Sequence, residues 1–189
     1  FLTAGHEISF NGDINGDFEL LIDASKTNIN ANIGNTTPLK KLTINGNTQV
    51  SQKNITTQGN QNYLGLFNAS NHVNLISHSG SIHLSQPANI AGNFSLTGNE
   101  ITLSNINTSG SLSLYSNTNI HYSTGTELKS GSTITFAINQ SINTSGLSLD
   151  LNTLTFEANK INLLGSNYDR IIGFTNTTNK WVLNGSYQG

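Results

Sequence analysis

The chain contains no cysteine, which excludes disulfide bridges and thiolate metal sites. It contains no methionine, and an excised interior piece of a longer protein is expected, opening at Phe1 directly in a strand-like stretch. Proline occurs twice in 189 residues, a length that suits one ordinary domain or two at most. Only 10% of residues are Asp, Glu, Lys or Arg, against roughly a quarter in an average globular domain. Eight Lys and Arg against ten acids leave a formal charge of −2. Scattered in this way they form no basic footprint, so nucleic acid is not expected as a partner. No apolar run approaches the length of a membrane span, so membrane insertion is not expected either.

Asn, Ser and Thr fill the space left by charge, each far above its average usage, and Gly adds 18 more positions. Such polarity invites a disordered reading, but disorder combines low hydrophobicity with high net charge. Here 34% of the residues are hydrophobic, mostly Ile and Leu, and they arrive at regular spacing. Short apolar-polar-apolar words recur: Leu42-Thr43-Ile44, Phe94-Ser95-Leu96, Ile101-Thr102-Leu103, Leu112-Ser113-Leu114, Leu154-Thr155-Phe156. A period of two puts the apolar side chains on one face and the polar ones on the other. No stretch has a helical period, and this much Asn, Thr and Gly disfavours long helices.

The words themselves repeat. Val73, Phe94, Leu112, Ile134 and Leu154 open successive units about 18 to 22 residues apart, within the range of solenoid repeats. Ile106-Asn107-Thr108-Ser109-Gly110 returns unchanged as Ile142-Asn143-Thr144-Ser145-Gly146, with looser copies at Ile14-Asn15-Gly16, Ile55-Thr56-Thr57-Gln58-Gly59 and Ile90-Ala91-Gly92. Glycine there supplies a corner with positive φ, and Asn tolerates the turn. These features predict an all-β solenoid whose coils carry two or three short strands and bury their apolar faces only by stacking. At about 20 residues per coil the chain makes about nine coils, a rod near 40–45 Å long. Asn at one turn position in consecutive coils can bond up and down the stack as a ladder. The solenoid is expected over residues 1–164. Residues 165–189 lose the rhythm and read as an irregular last coil, a cap or the start of a following domain. Residues 45–62 form a polar excursion, either one loose coil or a loop that leaves the rod.

One family resemblance follows from two stretches, Ile14-Asn15-Gly16-Asp17-Phe18-Glu19-Leu20-Leu21-Ile22-Asp23-Ala24 and Ile33-Gly34-Asn35-Thr36-Thr37-Pro38-Leu39-Lys40-Lys41-Leu42-Thr43-Ile44. Their rhythm resembles the repeats of filamentous-haemagglutinin-like, two-partner-secretion exoproteins, over roughly residues 8–164. The resemblance implies a right-handed parallel β-helix, secreted to the bacterial cell surface with the help of an outer-membrane secretion partner. It implies adhesion, biofilm formation or a stalk for a distal domain, with a host or bacterial surface glycan or protein as partner. The chain lacks the family's Asn-Pro-Asn-Gly-Ile secretion motif, an Arg-Gly-Asp motif and a Val-Glu-Asn-Asn junction, which favours a shaft segment over any active part. A monomer is expected, with no cofactor, no metal and no catalytic residue.

Individual residues support little chemistry. Asp13-Ile14-Asn15-Gly16-Asp17 with Glu19 opens like a calcium loop, but Phe18 stands where the loop needs Gly and Ala24 where it needs Glu. His72, His78 and His83 are close in sequence without a nearby acid. Carbohydrate-active solenoids need clustered carboxylates. Here only Asp150 and Glu157 are placed to approach across a coil, while Glu127 and Lys129 read as a surface pair. About nine Asn-x-Ser/Thr sequons are what this composition gives by chance. Sugars stack on outward aromatics, for which Tyr63, Tyr115, Tyr168, Trp181 and Tyr187 are candidates. A ligand site, if present, is placed at the C-terminal segment, on Trp181, Tyr168 and Arg170.

Overall fold

The computed structural model describes residues 1–138 apart from 52 and 123–125, and beyond them the strand segments 148–150, 155–157, 160–164, 174–177, 180–183 and 186–188. The described residues form strands and tight corners, with no helix. The strands are β1 (Leu2–Phe10), β2 (Glu19–Ile29), β3 (Lys41–Ile44), β4 (Asn47–Val50), β5 (Asn54–Thr57), β6 (Gln61–Tyr63), β7 (Phe67–Ala69) and β8 (Val73–Ser77). They continue as β9 (Ser81–Leu84), β10 (Ala88–Ile90), β11 (Phe94–Leu103), β12 (Ile106–Thr108), β13 (Leu112–Tyr122), β14 (Glu127–Ser130) and β15 (Thr133–Ile138). Each pairs in parallel with the strand one winding later, and the result is a β-solenoid of about six turns.

Three parallel ladders make three faces. Face A stacks β3, β6 and β9 between the first halves of β1 and β2 and the second halves of β11 and β13. Face B runs from the second halves of β1 and β2 through β4, β7, β10 and β12 to β14. Face C stacks β5, β8, the first halves of β11 and β13, and β15. One inward column on face C reads Ile14, Ile33, Ile55, Leu75, Leu96, Leu114, with Phe136 next in register. Its spacing along the chain follows the period of the repeat words. Val73, Phe94, Leu112 and Ile134 share a second column. The fifth unit start, Leu154, lies outside the described residues, and Ile134 pairs instead with Ile161.

The stack has about six turns, where nine coils are expected for the whole chain. Ile14 to Phe136 spans six windings, and past residue 164 the pairing changes character. Residues 180–183 run antiparallel to both 155–157 and 174–177, and 148–150 pairs antiparallel with 186–188 in a separate sheet. Antiparallel strands end a parallel winding and occupy an otherwise open sheet edge.

The polar stretch 45–62 is a regular coil. It supplies β4, β5 and most of β6, each in register with the strands before and after it. It looks loose because several of its inward residues are polar: Thr48, Thr57 and Gln61 are as buried as Val50 and Ile55 beside them. Gln61 Nε2 donates to the carbonyls of Ile55 (3.1 Å) and Ile76 (2.8 Å), while its Oε1 accepts from the Tyr63 hydroxyl at 2.9 Å. Tyr63 packs edge-on against Phe67, with ring centroids 4.9 Å apart, and Phe67 stacks on Phe94 at 5.5 Å. Each such ring pair adds about 0.5–1.5 kcal/mol beyond the area buried. Phe67 fits because its column neighbours, Thr48 and Ala88, are small.

The repeated Ile-x-Thr-x-Gly word has a structural cause. Ile106 points inward, Asn107 outward, and the Thr108 hydroxyl turns back to the carbonyl of Gly92 in the coil below. Ser77 does the same for Gly59 at 2.9 Å and Ser130 for Gly110 at 2.7 Å, while Thr57 closes its own corner onto the Gly59 carbonyl. Gly110 passes so close to the coil below that a Cβ would collide with Asn93 Oδ1. The corner glycines therefore answer mostly to the approach of the next coil. Among the described glycines only Gly16 and Gly34 have positive φ (137° and 69°), so positive φ is the lesser reason for glycine here.

Candidate functional site

Corner side chains bond chiefly to the neighbouring coil. Asp13 Oδ1 accepts the Asn32 backbone N–H at 2.9 Å, and Asn32 Oδ1 accepts that of Asn54 at 3.2 Å. Asn15, Asn47, Asn60, Asn93 and Asn105 take the N–H groups of Thr36, Leu66, Ser81, Ser111 and Glu127 in the same way, at 2.8 to 3.0 Å. Side-chain pairs continue the ladders: Asn30 donates to Asn11 at 3.0 Å, and Asn74 to Asn54 at 2.8 Å. The calcium-like stretch is thereby explained. Two of its oxygen donors, on Asp13 and Asn15, are committed to backbone N–H groups one winding on.

The three histidines do not converge. His72 Nδ1 accepts the Asn93 N–H at 2.7 Å at one corner, His78 sits at another, and His83 lies outward on face A, 3.3 Å from Ser85 Oγ. Among the described residues no three of His, Asp and Glu come together as a metal site would require.

Face A carries one acid–base couple that sequence reading does not single out. His121 Nε2 lies 2.6 Å from Glu100 Oε1, and Ser81 Oγ is 3.4 Å from the other carboxylate oxygen. The three residues come from successive windings, so the signal is visible only once the period is imposed on the sequence. The couple is partly exposed and faces open solvent, an arrangement that suits stacking better than proton transfer to a held substrate.

Face B bears a shallow groove of about 240 Å³ across β10, β12 and β14. Pro87, Asn89, Asn105, Asn107, Glu127 and Lys129 line it. Glu127 and Lys129 form the expected surface pair at 3.4 Å, so the groove offers amides and one neutralised ion pair. An outward amide column, Asn28, Gln49, Asn68, Asn89, Asn107, runs up into it.

The predicted ligand residues fare unevenly. Tyr168 and Arg170 lie outside the described residues. Trp181 falls in the antiparallel strand 180–183, opposite Phe156 on one side and Asn176 on the other. Of the candidate outward aromatics, Tyr115 is exposed on face C, but Tyr63 is wholly buried because position 63 continues the inward column of Ile44 and Leu84. Burial pushes the Tyr63 hydroxyl well above the usual tyrosine range. Glu157 joins the main stack opposite Lys129, whereas Asp150 belongs to the separate two-stranded sheet, opposite Ser186. Compared with known proteins, the chain matches no protein-family model, no curated protein and no solved structure.

Proposed function

We propose that this chain is a shaft segment of a large secreted bacterial surface adhesin, a right-handed parallel β-helix of the filamentous-haemagglutinin kind that holds a binding region away from the cell. The supporting observation is where its polar chemistry goes. Seven corner Asp and Asn side chains accept backbone N–H groups of the next winding, and inward hydroxyls close the glycine corners. Groups engaged in this way stiffen a column and are not free to take a ligand. The columns beneath them stay in register through six windings, so length comes from repetition of one layer. At 4.7–4.8 Å per layer, six windings extend roughly 30 Å.

The test is replacement in the parent adhesin. Deleting residues 1–164 is expected to weaken attachment, and an unrelated solenoid of equal length is expected to restore it. Restoration by the native segment alone would show that the segment itself binds. That second reading, a glycan- or receptor-binding module, is favoured by the face B groove and its neutral amide lining. Binding of the intact chain to a glycan array, lost in Asn89→Ala with Asn107→Ala, would establish it over the shaft reading.

A further inference from the structure

An asparagine followed by glycine is chemically fragile. The glycine backbone nitrogen attacks the asparagine Cγ, since the next residue has no Cβ to obstruct it. The Cγ–N bond forms, the Cγ–Nδ2 bond breaks, and ammonia departs with the amide proton, leaving a five-membered succinimide. Water, the only co-reactant, opens that ring at either carbonyl to give aspartate or isoaspartate. Reaction requires a glycine N–H free to lose its proton and an asparagine side chain and backbone free to swing into the ring.

The described residues hold three such dipeptides in different surroundings. At Asn15–Gly16, Asn15 Oδ1 accepts from Thr36 N at 2.8 Å and Thr37 N at 3.4 Å, and Gly16 N donates to the Thr37 carbonyl at 3.0 Å. Both reacting groups are held. At Asn45–Gly46, Asn45 N donates to the Ile22 carbonyl at 3.0 Å and Nδ2 to Asp23 at 3.3 Å. Gly46 lies against the coil below so tightly that a Cβ would overlap the Ala24 carbonyl oxygen, which blocks the rotation ring closure needs. Asn11–Gly12 is different. It follows β1 in the first winding, both residues are exposed, and nothing lies within 4 Å of where a Gly12 Cβ would be. Gly12 N makes no hydrogen bond among the described residues, and Asn11 is held only through Oδ1, by the exposed Asn30 amide at 3.0 Å.

We propose that the Asn11–Gly12 corner is a site of spontaneous deamidation and isomerisation, from which the stacked coils shield Asn15 and Asn45. The aspartyl product keeps an acceptor for Asn30. The isoaspartyl product adds a methylene to the main chain at the corner leading out of β1.

The folded chain is incubated in mildly alkaline buffer, digested and sequenced by mass spectrometry, with isoaspartate recognised by its resistance to an aspartate-directed protease. Conversion at Asn11 is expected to run about tenfold or more faster than at Asn15, the factor set by breaking three hydrogen bonds at the latter. Conversion at Asn45 is also expected to lag. In denaturant the three sites should converge, and Asn11→Gln should abolish fast conversion in the peptide that holds positions 11 and 12. Equal rates at these three sites in the folded chain, a faster Asn15 or Asn45, or fast conversion of the peptide holding positions 11 and 12 that survives Asn11→Gln would overturn the proposal.

Discussion

Gln61 offers the sharpest test of how the stack tolerates polarity in its core. Its inward position continues a column that reads Leu42 below and Ile82 above, yet it is fully buried and makes three hydrogen bonds. Gln61→Leu restores the apolar column but strands the Tyr63 hydroxyl and removes a donor from two carbonyls. A buried polar group left without a partner costs about 1–3 kcal/mol, so a net loss of roughly 2–5 kcal/mol is expected despite the added hydrocarbon. Tyr63→Phe strands only Gln61 Oε1 and should cost about 1–3 kcal/mol. In the Gln61→Leu background the same change removes an orphan hydroxyl and should cost nothing or stabilise. The coupling energy from this cycle is therefore expected at about 1–3 kcal/mol. Urea unfolding of the four chains, followed by far-UV circular dichroism, measures it. Because stacked repeats couple to their neighbours, amide exchange in the coils flanking Gln61 supplies a local reading of the same difference. Additive effects, or a Gln61→Leu chain more stable than the native one, would refute the reasoning.

The Thr27 and Thr48 hydroxyls are buried, adjacent in one column and without a hydrogen-bond partner, so Thr27→Val and Thr48→Val should each stabilise by about 1 kcal/mol in denaturant melts. Gly46→Ala places a methyl against the Ala24 carbonyl oxygen and should destabilise by about 1–3 kcal/mol or more, visible as a lowered melting temperature. Tyr63 also predicts a pH dependence. Its folded-state pKa lies above the unfolded value near 10, so its contribution is complete below about pH 10 and declines as pH rises toward the folded value. Denaturant midpoints should fall in that window for the native chain and fall less for Tyr63→Phe. The exposed Lys26–Glu7 pair, 3.3 Å apart, should contribute under about 1 kcal/mol and fade with added salt.

The solenoid period is legible because aliphatic side chains have one place to go. Val73, Phe94, Leu112 and Ile134 can be aligned by eye, and the structure stacks them in one column. Inward polar residues are not legible in the same way. Polarity alone assigns Thr to the solvent face, yet Thr27, Thr48, Thr57 and Thr108 point inward, two filling valine-shaped space and two closing a glycine corner. Tyr63 is open to misreading because its hydroxyl suggests the surface, and its partner Gln61 lies within the stretch that looks least like a coil.

Sites fail for a further reason that is intrinsic to winding. Spatial neighbours in a solenoid lie one period apart, so Glu100 and His121 meet across a full winding with nothing local to mark them. The period itself drifts from winding to winding, because corners vary in length while strands stay in register. A slip of one residue turns a strand's side chains to the opposite face. A pairing drawn from sequence across windings thus carries more positional error than it can bear, whereas the two-residue pair Glu127–Lys129 escapes that drift. Asp150 and Glu157, close in sequence and placed by that reading to meet across one coil, pair in different sheets, the first opposite Ser186 and the second opposite Lys129. Columns average over many windings and survive that drift, whereas a pair of reacting side chains depends on one corner alone.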